Sequence, residues 1–158
     1  MIASGSAQFG GGSSARENDR VHGVLDASVA SKWFIPEQST SDSSVLLGQI
    51  LAGAAPPGHR GLVVPEIFFA EVVSAVSKQC RHRAVLERCT NMLDRLPLER
   101  VCWASVPVRR CIELIERRVG AYDSVYAAIA IERAIPLVTS DARLARALGE
   151  PDWVILVP

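Results

Sequence analysis

Short apolar runs that lead into helical segments recur along this chain and limit its fold more than any other feature. Runs at 21–25, 62–64 and 137–139 are each followed within a few residues by a helical pattern, and further apolar runs occur at 98–103 and 153–157. Strands that are apolar throughout are typical of a parallel sheet that is buried on both faces. We therefore predict an α/β fold with a central, mostly parallel sheet of about five strands and helices on both faces.

Proline and glycine residues mark the ends of the predicted helices. Pro65 fits the first position of a helix, because its missing N–H is not needed there. The helices are expected over about 27–34, 40–53, 66–80, 84–96, 107–119, 123–135 and 140–149.

The chain is predicted to form one domain, over residues 21–158. Residues 1–20 are rich in Gly, Ser and Ala and have no apolar period, so we interpret them as a flexible extension. No apolar run approaches the ~20 residues needed to cross a bilayer, and the amino terminus lacks a secretory pattern. We expect a cytoplasmic protein without membrane contact. The four cysteines are irregularly spaced, which favours packing roles over a zinc site or disulfides.

Four acidic residues occupy positions where a charge needs an explanation. Asp123 lies at the mouth of an almost wholly apolar helix, and Glu71 shares the side of its helix with apolar residues. Asp26 and Asp141 each come directly after an apolar strand and before a helix. Because the carboxyl ends of parallel strands share one edge of the sheet, all four carboxylates are expected near that edge.

Each acid also has an ordinary structural interpretation. Asp26, Asp123 and Asp141 could be helix N-caps, and Glu71 could be a hydrogen-bonded core acid. Four carboxylates at one edge would repel one another without a cation. Oxygen ligands without His or Cys indicate Mg²⁺ or Mn²⁺ rather than zinc. We expect a single ion to join Asp26, Glu71 and Asp123.

The motifs around these acids resemble those of PIN-domain ribonucleases, closest to VapC-type toxins of bacterial toxin–antitoxin pairs. The resemblance rests on VLDAS, PEIFFAEV, AYDSVYAA and VTSD, in that order and spacing, and covers about 21–158. It implies a PIN-like three-layer fold. It also implies that Asp26, Glu71, Asp123 and Asp141 are catalytic residues that hold Mg²⁺ or Mn²⁺, and that water activated by the metal cleaves RNA.

The same resemblance implies roles for two hydroxyl residues and several partners. Ser28 and Thr139 would lie behind the metal ligands or bind the water molecules of the metal. The implied partners are an RNA substrate, a cognate antitoxin protein and a second copy in a homodimer. The antitoxin is expected to bind an apolar groove beside the first two predicted helices. The alternative for Trp33 is a place in the core instead of in this groove. That groove is defined by Trp33, Phe34, Leu46 and Leu47.

The charge balance is compatible with a nucleic-acid partner once the four acids are set apart. The formal net charge is zero, from 17 basic and 17 acidic residues. Without the four site acids, 17 basic residues face 13 acidic ones, and 15 of the basic ones are arginine, which binds phosphate well.

Other functions remain open from the residues alone. A haloacid-dehalogenase-type phosphatase is disfavoured, because it needs an acid where Ser28 stands. A receiver domain is disfavoured, because this chain lacks the acidic pair that such a domain carries before the Asp of its first strand. A housekeeping RNA-processing nuclease and a non-enzymatic interaction domain remain as alternatives.

Overall fold

The structure is a computed structural model that describes residues 22–35, 38–52 and 61–158. The predicted extension over 1–20 and the predicted helix stop at Pro36 lie outside these residues. The elements, in chain order, are β1 Gly23–Leu25, α1 Ala27–Ser31, α2 Ser41–Ala52, β2 Leu62–Pro65, α3 Ile67–Gln79, α4 Arg83–Arg95, β3 Glu99–Val101, a 3-10 turn Trp103–Ser105, α5 Val108–Glu116, α6 Ala121–Arg133, β4 Leu137–Thr139, α7 Ala142–Ala147 and β5 Val154–Leu156.

The five strands form one sheet in the order β3-β2-β1-β4-β5, and every pair of neighbours is parallel. The residues of β1, β2 and β4 are all buried, whereas the edge strands β3 and β5 expose part of their residues. The prediction of a five-stranded parallel α/β fold with flanking helices is confirmed.

Helices cover the sheet in two groups. Helix α3 contacts both α1 and α4, while α5 and α6 pack against each other and α6 also contacts β1, β2 and β4. The connections from β1 through β2 to β3 run in one direction across the sheet, and those from β3 through β4 to β5 run in the other. Since parallel crossovers are right-handed, the two groups lie on opposite faces.

Helix α6 contains a run of seven consecutive buried residues. All of its residues from Ser124 to Ala130 are buried, because the chain supplies mainly small and apolar side chains there. It ends at Ala134 in a left-handed conformation, with φ of 50°. A buried helix in contact with three central strands gives Asp123 a rigid support.

Gly23 is required where β1 runs beside the segment before β4. Its φ is +151°, and a Cβ atom there would lie 2.7 Å from the carbonyl oxygen of Pro136. The adjacent backbone is held by a hydrogen bond that the Val24 N–H donates to that same oxygen, at 2.7 Å. This close approach fixes β1 against β4, the two strands that lead to Asp26 and Asp141.

Three local predictions need correction or refinement. Pro65 ends β2, opposite Val101, instead of opening α3, and the N–H that bonds to the Val101 carbonyl oxygen is that of Glu66, so the missing N–H of Pro65 is not needed there. Strand β3 is shorter than predicted, since Trp103 begins a 3-10 turn. Phe34 and Leu46 are buried in the core, so the proposed antitoxin groove does not exist as an apolar surface made by all four of its residues.

The four cysteines are unpaired in the structure; Cys89 and Cys111 are buried in the core, and Cys102 is exposed. Among the described residues, no helix has the length and apolar character to cross a membrane.

Candidate active site

Asp26 and Asp141 follow the two strands between which the direction of the chain reverses. Strands β1 and β4 are neighbours, but the chain leaves β1 toward β2 and leaves β4 toward β5. In an open parallel sheet, loops that part in this way leave a crevice outside the carboxyl ends of the strands, where ligands bind. The sheet order therefore puts the two predicted acids on either side of the crevice.

Asp26 is buried and is held by two hydroxyl groups. It occupies the N-cap position of α1, yet its side chain makes no capping hydrogen bond, and the residue is only 6% exposed. The hydroxyls of Ser28 and Thr139 both donate to its Oδ2, each at 2.6 Å. Both donors bind the same oxygen, so Oδ1 is outside these two bonds. The two residues predicted to support the site therefore contact Asp26.

The same hydroxyls tie the loop after β1 to the loop after β4. The Ser140 N–H donates to Ser28 Oγ at 2.9 Å, and the Asp141 N–H donates to Thr139 Oγ1 at 3.0 Å. The two hydroxyl oxygens are 3.3 Å apart. Because Thr139 is fully buried, this network has little freedom to move.

Glu71 lies at the border between the core and the cavity. It is half-buried on α3, next to the fully buried Val72, and the hydroxyl of Tyr126 donates a hydrogen bond to its Oε2. The sequence prediction missed Tyr126. The available signal was a tyrosine inside an apolar helix face, because a buried phenol hydroxyl usually needs a partner.

Asp123 is in the first turn of α6 but does not cap it. The N-cap is Gly120, so the capping interpretation of Asp123 does not hold. A Cβ atom on Gly120 would lie 2.5 Å from Asp123 Oδ2, which means that the glycine leaves room for this carboxylate. A negative charge is also favoured at this end of a helix by the helix dipole.

Asp141 is a true helix cap. Its Oδ1 accepts hydrogen bonds from the N–H groups of Arg143 at 2.7 Å and Leu144 at 3.3 Å, and the side chain of Arg143 lies 3.6 Å from Oδ2. Asp141 therefore has the structural role of a helix N-cap, which was the alternative interpretation of its sequence position. Such a role does not exclude it from the site, since it also lines the cavity.

All four acids line one open cavity of about 510 Å³. Helix α3 forms one wall, and the starts of α1, α6 and α7 contribute the acids on the others. The cavity also has a rim of two residues that the sequence analysis did not select, Lys78 and Tyr122.

The acids affect one another's charge. Burial is the main factor that raises the pKa of Asp26 above 3.8; the hydroxyls of Ser28 and Thr139 oppose it and the charge of Asp141 adds to it. Burial also raises the pKa of Glu71, opposed by the hydrogen bond from Tyr126 and aided by the charges of Asp26 and Asp123.

The pKa of Asp123 is raised by burial first and then by the charges of Asp26 and Asp141, while Arg143 lowers it. After burial, the charge of at least one other acid of the cavity therefore contributes to the raised pKa of each of these three carboxyl groups.

In the described parts of the chain, no group of three or more His, Cys, Asp or Glu side chains has the geometry to hold a metal ion. The predicted arrangement, in which one ion joins Asp26, Glu71 and Asp123, is thus absent from these side-chain positions. Mutual repulsion of uncompensated carboxylates gives a physical reason for the separation. The donor chemistry still fits a hard divalent cation, because the cavity offers carboxylate and hydroxyl oxygens.

Comparison with known proteins gives a family for this fold. The family profile described as PIN domain matches residues 23–149. Among curated proteins, none matches the sequence. A chain of a solved toxin–antitoxin complex from Klebsiella pneumoniae is similar in structure, with a TM-score of 0.59 and 16% identity, over 84% of this chain and 95% of that one.

Proposed function

Because the chain belongs to the PIN-domain family, whose members are generally nucleases, we propose that it is a divalent-metal-dependent endoribonuclease and the toxin of a type II toxin–antitoxin pair. The observation that supports this most directly is the buried Asp26 at the crevice between β1 and β4. It is kept there by hydroxyl donors, despite the cost of burial, beside three further acids.

Asp26, Glu71 and Asp123 are the proposed ligands of Mg²⁺ or Mn²⁺, and Asp141 is proposed to act through a water molecule or at a second metal ion. Typical PIN nucleases depend on divalent metals. Such an ion supplies a Lewis acid for the phosphate and lowers the pKa of a nucleophilic water. Ser28, Thr139 and Tyr126 support the site from behind, because each donates a hydrogen bond to a carboxylate and thereby favours its charged form.

These donors also orient the acids. The hydroxyls of Ser28 and Thr139 bind only Oδ2 of Asp26, so Oδ1 is left for another ligand. The hydroxyl of Tyr126 holds the Glu71 carboxylate in place at the border of the cavity. Asp123 stands on the buried helix α6, so three different parts of the fold support the three proposed ligands of the metal ion. Preorganised charges of this kind cost little reorganisation during a reaction.

The toxin assignment is supported by the structural similarity to a chain of a toxin–antitoxin complex. We propose a small antitoxin protein as the partner, and a homodimer as the working form. On α5, Val108, Ile112 and Ile115 are exposed on one stripe, which gives the dimer proposal an apolar surface.

The test is cleavage of RNA in the presence of Mg²⁺ by the wild type and by Asp26→Asn and Asp123→Asn. We expect both variants to lose cleavage while folding normally. Asp152→Asn is a matched control, since Asp152 is exposed and does not line the cavity. Full activity in both site variants would contradict the assignment. For the toxin role, expression should arrest growth, and co-expression of a neighbouring small protein should relieve it; a nuclease without this effect would be a processing enzyme.

A further inference from the structure

The rim of the acidic cavity carries one cation and one aromatic ring. On α3, the side that faces the cavity presents Ile67, Ala70, Glu71, Ser74, Ala75 and Lys78. Only small side chains lie between Glu71 and Lys78 on that side. The wall of the cavity that α3 forms therefore has no bulky side chain between the Glu71 carboxylate and the Lys78 amine.

Lys78 is a charge without a structural task. It is exposed at the last turn of α3, and within the described residues it forms no hydrogen bond or ion pair. Arginines on other surfaces, such as Arg83 and Arg110, pair with neighbouring glutamates. Lys78 lines the same cavity as the four carboxylates, and its amine can bind an anion that the carboxylates repel.

Tyr122 is an aromatic ring without a structural task. It is 67% exposed at the cavity, directly before Asp123, and forms no hydrogen bond among the described residues. Tyr126, one turn further along α6, is 1% exposed and bonds to Glu71. One tyrosine of this helix thus supports an acid from inside, while the other leaves its ring open to solvent beside the acids.

A nucleic-acid strand needs attachment points outside the acids. The whole chain has zero formal net charge, so its overall field does not attract phosphates, and the carboxylates repel them. Aromatic rings bind bases by stacking, and amines bind phosphates. Tyr122 and Lys78 supply one of each at the rim.

We propose that Tyr122 stacks on an unpaired base next to the scissile phosphate and that Lys78 binds a backbone phosphate farther along the strand. This inference rests on the proposed nuclease function. Seven residues of helix separate Glu71 from Lys78, which is about 10.5 Å. Because bases in a duplex are already stacked on both faces, the substrate is single-stranded.

The experiment measures binding of a short fluorescent RNA of mixed sequence, single-stranded or annealed to its complement. The full chain with Asp26→Asn is used, with Mg²⁺, so that the RNA stays intact. Tyr122→Ala should weaken single-strand binding by about 5- to 150-fold and leave duplex binding unchanged. Tyr122→Phe keeps the ring and should bind as the parent does. Trp103→Ala, which removes an exposed ring that does not line the cavity, is the matched control.

Lys78→Ala should weaken binding of both RNA forms and reduce the salt slope for the single strand by about 0.7, as expected for one lost phosphate contact. Lys78→Arg should retain the slope. Arg109→Ala controls for the loss of one surface charge, since Arg109 is exposed on α5 and does not line the cavity.

Equal binding by Tyr122→Ala and its parent, or no preference of the parent for the single strand, would overturn the stacking role. A parent that binds neither RNA would overturn the whole inference. These outcomes differ from failure of the proposed function, which is measured by cleavage in the wild type and its loss in Asp26→Asn.

Discussion

Asp26 and Asp141 come from the same sequence pattern and do different things in the structure. Each follows a buried strand, occupies the N-cap position of the next helix and lines the same cavity. Asp141 accepts two backbone hydrogen bonds from α7, as a cap does. Asp26 makes no capping bond and instead accepts from the hydroxyls of Ser28 and Thr139.

The difference shows what a strand–Asp–helix pattern leaves undecided. A cap stabilises its helix, typically by about 1 kcal/mol. Asp26 gives its helix no such bond, and burial raises its pKa, so its charged form is held at an energetic cost. A carboxylate held at a cost in a cleft is a candidate for function, whereas Asp141 has a structural reason for its position.

The largest expected effect is a difference in RNA cleavage between the Asp26→Asn and Asp141→Asn variants. Asp26→Asn should lower Mg²⁺-dependent RNA cleavage by more than about 10²-fold, because even residues behind metal ligands are worth 10–100-fold. Asp141→Asn should lower it by less than about tenfold, since Asn also caps helices well and the oxygen that accepts the capping bonds is retained. Single-turnover cleavage with saturating Mg²⁺ measures both.

Asp141→Ala is the control for the cap. It should cost about 1 kcal/mol in urea unfolding, while Asp141→Asn costs only a few tenths. If Asp141→Asn lost as much cleavage as Asp26→Asn, with the cap intact, the two acids would have equal roles in the chemistry and the contrast drawn from their hydrogen bonds would be wrong.

The fold could be predicted because its signals are local. A parallel sheet is indicated by wholly apolar runs, such as 62–64 and 137–139, that alternate with helices ending at proline. Such a sheet brings the acids that follow its strands to one edge. Hydrogen-bond partners could not be predicted. Thr139 bonds to Asp26 across 113 positions of sequence, and Tyr126 bonds to Glu71 across 55.

Two further details depended on competing local preferences. Pro65 suits both a strand end and a helix start, and only its pairing with Val101 decides between them. Gly120, rather than Asp123, became the cap of α6, although aspartate is a favoured cap residue. For Pro65 the neighbouring strand determined the outcome.

The second-largest expected effect concerns Thr139, the residue whose hydroxyl is hydrogen-bonded to both Asp26 and Asp141. The Thr139 hydroxyl donates to Asp26 Oδ2 and accepts from the Asp141 N–H. Thr139→Val keeps the shape but leaves both groups without this partner in a buried position, so it should cost about 1–3 kcal/mol of unfolding free energy. Cleavage should fall by about 10–100-fold.

Thr139→Ser is the matched control, because it retains the hydroxyl and loses only a methyl group. Urea unfolding and cleavage are measured for both variants. Equal cleavage by Thr139→Val and wild type would mean that Asp26 does not need this donor, and that its hydroxyl contacts are packing alone.

The smallest effect concerns how pH changes the stability of the metal-free protein. The pKa values of Asp26 and Asp123 are raised above 3.8 and that of Glu71 above 4.5, with burial as the main cause in each. The folded state therefore holds protons that the unfolded state has released, and the cluster loses stability as pH rises above about 4 through the raised values. Glu71 and Asp123 are only half-buried, so water screens much of the cost.

The contributions of the other titrating groups to the pH dependence of stability cancel when a variant and the wild type are compared at the same pH. The melting temperature of Asp26→Asn minus that of wild type should increase between pH 4 and pH 7, because the wild type loses stability as this buried carboxyl group ionises and the variant does not. Mg²⁺ should reduce the difference for Asp26→Asn by stabilising the wild type, since a ligand of the folded state alone raises its stability. A difference that shrank with rising pH would mean that the charge of Asp26 stabilises the metal-free fold, as a cap or ion pair does, and would remove the energetic argument for its role in the site.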